Sequence, residues 1–153
     1  MLKYITLKEA LEIHKLTIEY SDGGLTNALN IGQLDSILSH IQNDEYYPTF
    51  TDKITHLLFS VCKFHTFEDG NKRLALTLSL QFLLINGYDY LASRFMTDYE
   101  NITYHVANGN ISKELLNEIL KSSFDGTFES EEIKIKILNA ISLKQTKPSY
   151  IER

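Results

Sequence analysis

The stretch His65-Thr66-Phe67-Glu68-Asp69-Gly70-Asn71-Lys72-Arg73 places a titratable base, carboxylates, a glycine and two cations between two apolar helical runs. A core segment has no use for that mixture, whereas a phosphate-handling loop needs each part of it. The first turn of a helix carries unpaired N–H groups and the positive end of the helix dipole. A glycine just before that turn lets successive N–H groups converge on one anion, so Gly70 to Arg73 reads as a phosphate cradle opening a helix. Lys72 and Arg73 add charge, and the Arg73 guanidinium can grip two phosphate oxygens in a fork. Asp69 beside phosphates would repel them unless a cation lay between, which suits magnesium held by one carboxylate and phosphate oxygens. His65, near neutrality in its ordinary range, suits a general base for a hydroxyl attacking phosphorus. Phe67 is expected to anchor the loop in the core, and Asn71 to tie the loop to itself through its amide. The alternative is a charged helix–helix connection with a chance histidine. Asp-Gly-Asn alone is a common turn, so the argument rests on the complete ordered set.

The elements that must position this loop read as helices. Thr6 with Glu9 is a capping-box pattern, and Leu7, Ala10, Leu11 and Ile18 follow on an amphipathic helix that Ser21 to Gly24 stops. His14 fits a helix surface or core edge. Leu34, Ile37, Leu38 and Ile41 predict a second helix from about Ile31 to Gln42, ended by Asn43, Asp44 and Glu45. Tyr46, Tyr47, Pro48 and Thr49 form an aromatic turn, either a loop anchored by its rings or a flap whose edge holds a substrate peptide. From Thr51, Ile54, Leu57, Leu58, Val61, Cys62 and Phe64 make an apolar helix face leading into His65. Leu74 to Ile85 is apolar nearly all round, which predicts a buried central helix, stopped by Asn86 and Gly87.

Tyr88 to Arg94 then reads as a connection, with Thr97 and Glu100 as a second capping box opening the next helix. Asn108 to Asn110 is a turn, and Ser112 caps a helix bearing Leu115, Leu116, Ile119 and Leu120. Ser123 to Thr127 breaks the pattern. Glu129 to Glu132 opens a last helix through Ile133, Ile135, Ile137, Leu138 and Ile141, although the first three alternate as a short strand would. Lys144 to Arg153 reads as a polar, frayed tail.

At 153 residues, 43% hydrophobic and 23% charged, the chain suits one soluble globular domain. A net charge of −5 argues against a direct nucleic-acid partner. The lone Cys62 cannot form an internal disulfide, and no leader-like or bilayer-length apolar run is seen, so a cytoplasmic location without membrane attachment is expected.

The loop resembles the signature of the Fic/Doc family, His-x-Phe-x-Asp/Glu-Gly/Ala-Asn-Gly/Lys-Arg. The likeness is to the Doc (death-on-curing) branch, and it extends from about Tyr4 to Phe124. Lys72 stands where most Fic proteins carry glycine and matches Doc, as do the run Asn71-Lys72-Arg73-Leu74-Ala75-Leu76 and the helix ending in Asn86-Gly87. Gly23-Gly24-Leu25 and Gly109-Asn110-Ile111-Ser112 are also similar. Gly70 departs: Doc proteins usually have alanine there, and glycine is the choice of AMP transferases.

The resemblance implies an all-α fold, a compact single-domain helical bundle with a buried central helix following the active-site loop. It implies a Fic/Doc domain over 1–124 and an accessory helix and tail over 125–153. Thr127 and Glu131 match the spacing of an inhibitory helix found in some Fic proteins, whereas Glu132 departs from that pattern and favours a packing helix. The catalytic group would be His65, Asp69, Lys72 and Arg73, with Gly70, Asn71, Lys72 and Arg73 binding nucleotide phosphates. Asp69 would hold magnesium, and Tyr46, Tyr47, Pro48 and Thr49 would form the target-docking flap. ATP and Mg2+ would be required. The implied activity is that of a toxin phosphorylating a protein hydroxyl, by resemblance on elongation factor Tu, and paired with a small antitoxin. A Fic-type AMP transferase is the alternative enzyme, and a silent helical binding module the alternative without catalysis. Lysine at position 72 would crowd the outer-phosphate pocket used in AMP transfer, which favours a reversed nucleotide presenting its γ-phosphate.

Overall fold

The computed structural model describes residues 1–19, 31–63 and 71–151, and these form helices with no strand among them. The helices are α1 Leu7–Glu19, α2 Ile31–His40, α3 Phe50–Cys62, α4 Asn71–Ile85, α5 Asp89–Ala107, α6 Lys113–Asp125 and α7 Glu131–Ile151. The expected stop at Ser21 to Gly24 lies outside the described residues, as does the helix position expected for Phe64.

α4 is the axis. Its Leu74, Ala75, Leu78 and Phe82 are fully buried, and it packs against α1, α3 and α5. α3 lies against it through Ile54, Leu57, Leu58 and Val61, also fully buried. The apolar run read from sequence is therefore a central helix, and it begins where the chemical loop ends. Gly87, at φ +85°, takes the left-handed turn after α4, a conformation a side chain would strain. Asn86 adds a clamp: its amide donates to the carbonyls of Lys3 and Phe82 and accepts from Lys3 N–H at 2.8 Å, tying the N-terminal segment to the end of α4.

Local signals set several boundaries. Thr6 and Glu9 form the expected capping box at α1, at 3.0 and 3.1 Å. Ser112 caps α6 by accepting from Leu115 N–H at 3.1 Å. Thr49 and Asp52 form a capping box that sequence reading did not identify, so α3 starts at Phe50.

Two expectations are corrected in α5. Tyr88 is the N-cap residue of α5, Asp89 to Arg94 is not a connection, and Thr97 and Glu100 are not a cap: these residues after Tyr88 lie inside one continuous helix from Asp89 to Ala107. The reason is a buried stripe, Ala92, Phe95, Tyr99, Ile102 and Val106, whose three-and-four spacing runs through Thr97 and Glu100. A Thr-x-x-Glu pattern has caps to offer only where N–H groups lack intrahelical partners, and here they have them. α6 likewise continues past Ser123 to Asp125 and ends on Gly126 at φ +78°. In α7, Ile133 is buried and Ile135 exposed, the outcome of helical rather than strand geometry. The backbone stays helical through Ile151, beyond the expected start of a frayed tail, in keeping with helix formers such as Lys144 and Gln145.

Candidate active site

α4 opens at Asn71, so the second and third residues of its first turn are Lys72 and Arg73. Both line a cavity of about 710 Å³ between α4 and α5, whose far wall is Met96, Thr97, Glu100, Asn101 and Tyr104. Lys72 Nζ stands 5.4 Å over the Tyr104 ring, a cation–π geometry that holds the ammonium toward α5. No described carboxylate forms an ion pair with Lys72 or Arg73. The first turn is fixed from behind by Thr77, whose hydroxyl donates to the Arg73 carbonyl at 2.9 Å and meets Thr17 of α1 at 3.2 Å. Two cations at the positive end of a buried helix, facing a cavity of ligand size, supply the charge and the space that an anion site needs.

Of the other residues named from sequence, His65, Phe67, Asp69 and Gly70 lie outside the described residues, and the Asn71 side chain does too. The described residues contain no group of three His, Cys, Asp or Glu placed to hold a metal. Magnesium would depend on Asp69 with phosphate oxygens, and Lys72 and Arg73 fit the triphosphate that would complete such a site. Tyr104, Asn101 and Glu100 were not identified from sequence. Their signal was there, on the α5 face opposite the buried stripe, but it was obscured by reading Thr97 and Glu100 as a cap.

The residues expected to form a flap are pinned. The Asn43 side chain accepts from the N–H groups of Glu45 and Tyr46 at 2.9 and 3.3 Å. Asp44 pairs at 2.7 Å with Lys53, which is buried and also donates to the Ile41 carbonyl at 2.7 Å. Thr49 is consumed as the α3 cap. Tyr46 stays exposed. The Tyr47 hydroxyl lies 3.3 Å from His40 Nδ1 and 3.1 Å from His56 Nδ1.

His56 is the centre of this second group. Its Nδ1 also meets Lys113 Nζ at 2.9 Å and the Ser60 hydroxyl at 3.3 Å. With the ammonium donating, Nδ1 carries the lone pair and the ring proton sits on Nε2. Burial, then the Lys113 charge, then His40 push the His56 pKa down to about 4, so the ring is neutral at neutral pH. Burial also lowers the Lys113 pKa, against the opposing pull of Glu114, and raises that of Tyr47. Cys62 is buried and free, its thiol pushed up to about 12 by burial, and takes no part.

The model of the Fic/DOC family matches residues 4–83. The chain is 29% identical over 124 residues to "Protein kinase doc" of Escherichia phage P1, covering 78% of this chain and 94% of that one. It is 34% identical over 89 residues to "Toxin Doc" of Mycolicibacterium smegmatis, covering 56% of this chain and 68% of that one. No solved structure gives a significant match.

Proposed function

Since the chain belongs to the Fic/DOC family, we propose that it moves the γ-phosphoryl group of ATP onto a hydroxyl of a target protein, as the toxin of a toxin–antitoxin pair. The observation that carries this reading is the Lys72–Arg73 pair in the first turn of α4, facing the α4–α5 cavity without a described carboxylate partner. Similarity to a relative named as a protein kinase and another named as a toxin supports the finer assignment.

In this reading the Gly70 to Arg73 backbone and the two cations hold the phosphates. His65 accepts the proton of the attacking hydroxyl as its oxygen bonds to the γ-phosphorus, and the bond from that phosphorus to the β–γ bridging oxygen breaks, releasing ADP. Bound magnesium would neutralise charge between Asp69 and the phosphates. Phe67 anchors the loop. Tyr46, Tyr47, Pro48 and Thr49 present the flap edge along which the target segment lies. Elongation factor Tu is the target that the Doc resemblance suggests, and a small antitoxin is the partner.

Gly70 favours a second reading, AMP transfer, in which the hydroxyl attacks the α-phosphorus and pyrophosphate leaves. A label-transfer assay in bacterial lysate with magnesium separates the two. Label from γ-labelled ATP alone is expected; label from the α-position would establish AMP transfer, and label from neither would sink both. His65→Ala should lower transfer by roughly 10²–10⁴-fold, the usual contribution of a general base, while the chain stays folded.

A further inference from the structure

The cluster of His40, Tyr47, His56, Ser60 and Lys113 has more donors than acceptors. The Ser60 hydroxyl lies 3.4 Å from His56 Nε2, where it can accept the ring proton, and Lys113 Nζ, the Tyr47 hydroxyl and the Ser60 hydroxyl all approach one nitrogen, His56 Nδ1, at 2.9, 3.1 and 3.3 Å. That nitrogen offers a single lone pair, so it satisfies one of them. Tyr47 has His40 Nδ1 as an alternative at 3.3 Å. Lys113 has three N–H donors, and its other close approach is to a ring face, 5.5 Å from the Tyr47 centroid.

No carboxylate among the described residues comes within ion-pair distance of Lys113. Asp52, one turn before His56 on α3, is committed elsewhere: it accepts from Thr49 N–H and from the Asn117 amide, both at 3.2 Å. Glu114 acts on Lys113 only through its field. Lys113 is also the first residue of α6, at the positive end of that helix. A half-buried ammonium in this setting is short of one partner, an anion. The rim is accessible, because His40 and Tyr46 are exposed and their rings lie 5.5 Å apart. The cluster is built on the flap itself.

We propose that Lys113, Tyr47 and His40 bind an acidic side chain, a glutamate or aspartate carboxylate, on the protein segment that docks along the flap. The carboxylate would accept from Lys113 and from the Tyr47 hydroxyl, leaving His56 as the neutral platform behind them. The inference rests on the flap reading of Proposed function and names the chemistry of what the flap receives. It assigns target preference to side chains other than those of the phosphate cradle.

Peptide binding without nucleotide tests it independently of turnover. N-acetyl-tetraglutamate and N-acetyl-tetraglutamine are titrated into the full chain, with the His40 and His56 ring signals followed by NMR. Tetraglutamate should give a saturable shift of both rings and tetraglutamine none. Lys113→Gln should weaken binding on the order of tenfold, the scale of a charge-assisted hydrogen bond. Tyr47→Phe, which deletes one donor and keeps the ring, should weaken it severalfold and guards against a folding defect in the first variant. A non-saturating response in the unmodified chain would overturn the inference. So would undiminished affinity in both variants, or an equal loss in Lys72→Gln, which would place the peptide on the α4 cations.

Discussion

Lys72 and Lys113 are both cations in the first turn of a helix, and both stand over a tyrosine ring, at 5.4 and 5.5 Å. Their surroundings separate their roles. Lys72 opens onto a cavity of about 710 Å³ beside Arg73, whereas Lys113 is wedged against a neutral imidazole beside Tyr47. That imidazole gives a pH signature. The folded pKa of His56, about 4, lies below its ordinary 6.5, so the unfolded chain takes up the proton first. The stabilisation is complete above about 6.5 and is lost progressively as pH falls toward 4. His14, lowered by burial, contributes with the same sign. The urea midpoint should therefore drop between neutral and mildly acidic pH, and His56→Gln should flatten that slope; an unchanged slope would remove His56 as its source.

At the scale of elements, α4 does two things at once. Its first turn presents charge, and its remaining turns supply the buried surface that keeps that turn in place. The far end is locked by rings: Phe82 stacks on Phe50 at 4.7 Å, Phe50 on Tyr88 at 4.8 Å, and Phe124 meets both Phe50 and Tyr88 edge-on. One aromatic group thus joins the ends of α4 and α6 to the starts of α3 and α5. Phe82→Ala should lower unfolding free energy by about 3–5 kcal/mol, measured by denaturant titration. A loss below ~1 kcal/mol would mean that the cluster relaxes around the gap. Contact between α3 and α6 also matters, since Asn117 of α6 reaches Asp52 and Thr55 of α3, and that contact brings Lys113 to His56.

For the whole molecule, the question is whether α7 belongs to the domain. It packs on α6 and carries Ile133 into the core, while Phe128 before it stacks on Tyr99 at 5.5 Å. No described helix is long and apolar enough to cross a membrane. We propose that the catalytic domain ends with α6, so the boundary after 124 moves to Gly126, where α6 is capped. A chain ending at Gly126 should keep a cooperative thermal transition at a lower Tm, since the Phe128 and Ile133 contacts are gone. Loss of cooperativity would make α7 an integral part of the fold.

The all-α fold, the buried central helix and the cations at its first turn were legible in the sequence, because each is written in neighbours. Helix faces repeat every three or four residues, and Lys72 and Arg73 adjoin the apolar run they precede. The same locality misled at Thr97 and Glu100, where a four-residue pattern implied a cap and a stripe spread over the whole of α5 overruled it. Only the tertiary structure could set Tyr104 beneath Lys72, or gather His40, Tyr47, His56 and Lys113. His56 and Lys113 are 57 residues apart, and no spacing encodes their meeting. It follows from how α3 and α6 pack, which depends on the shape and burial of many side chains at once.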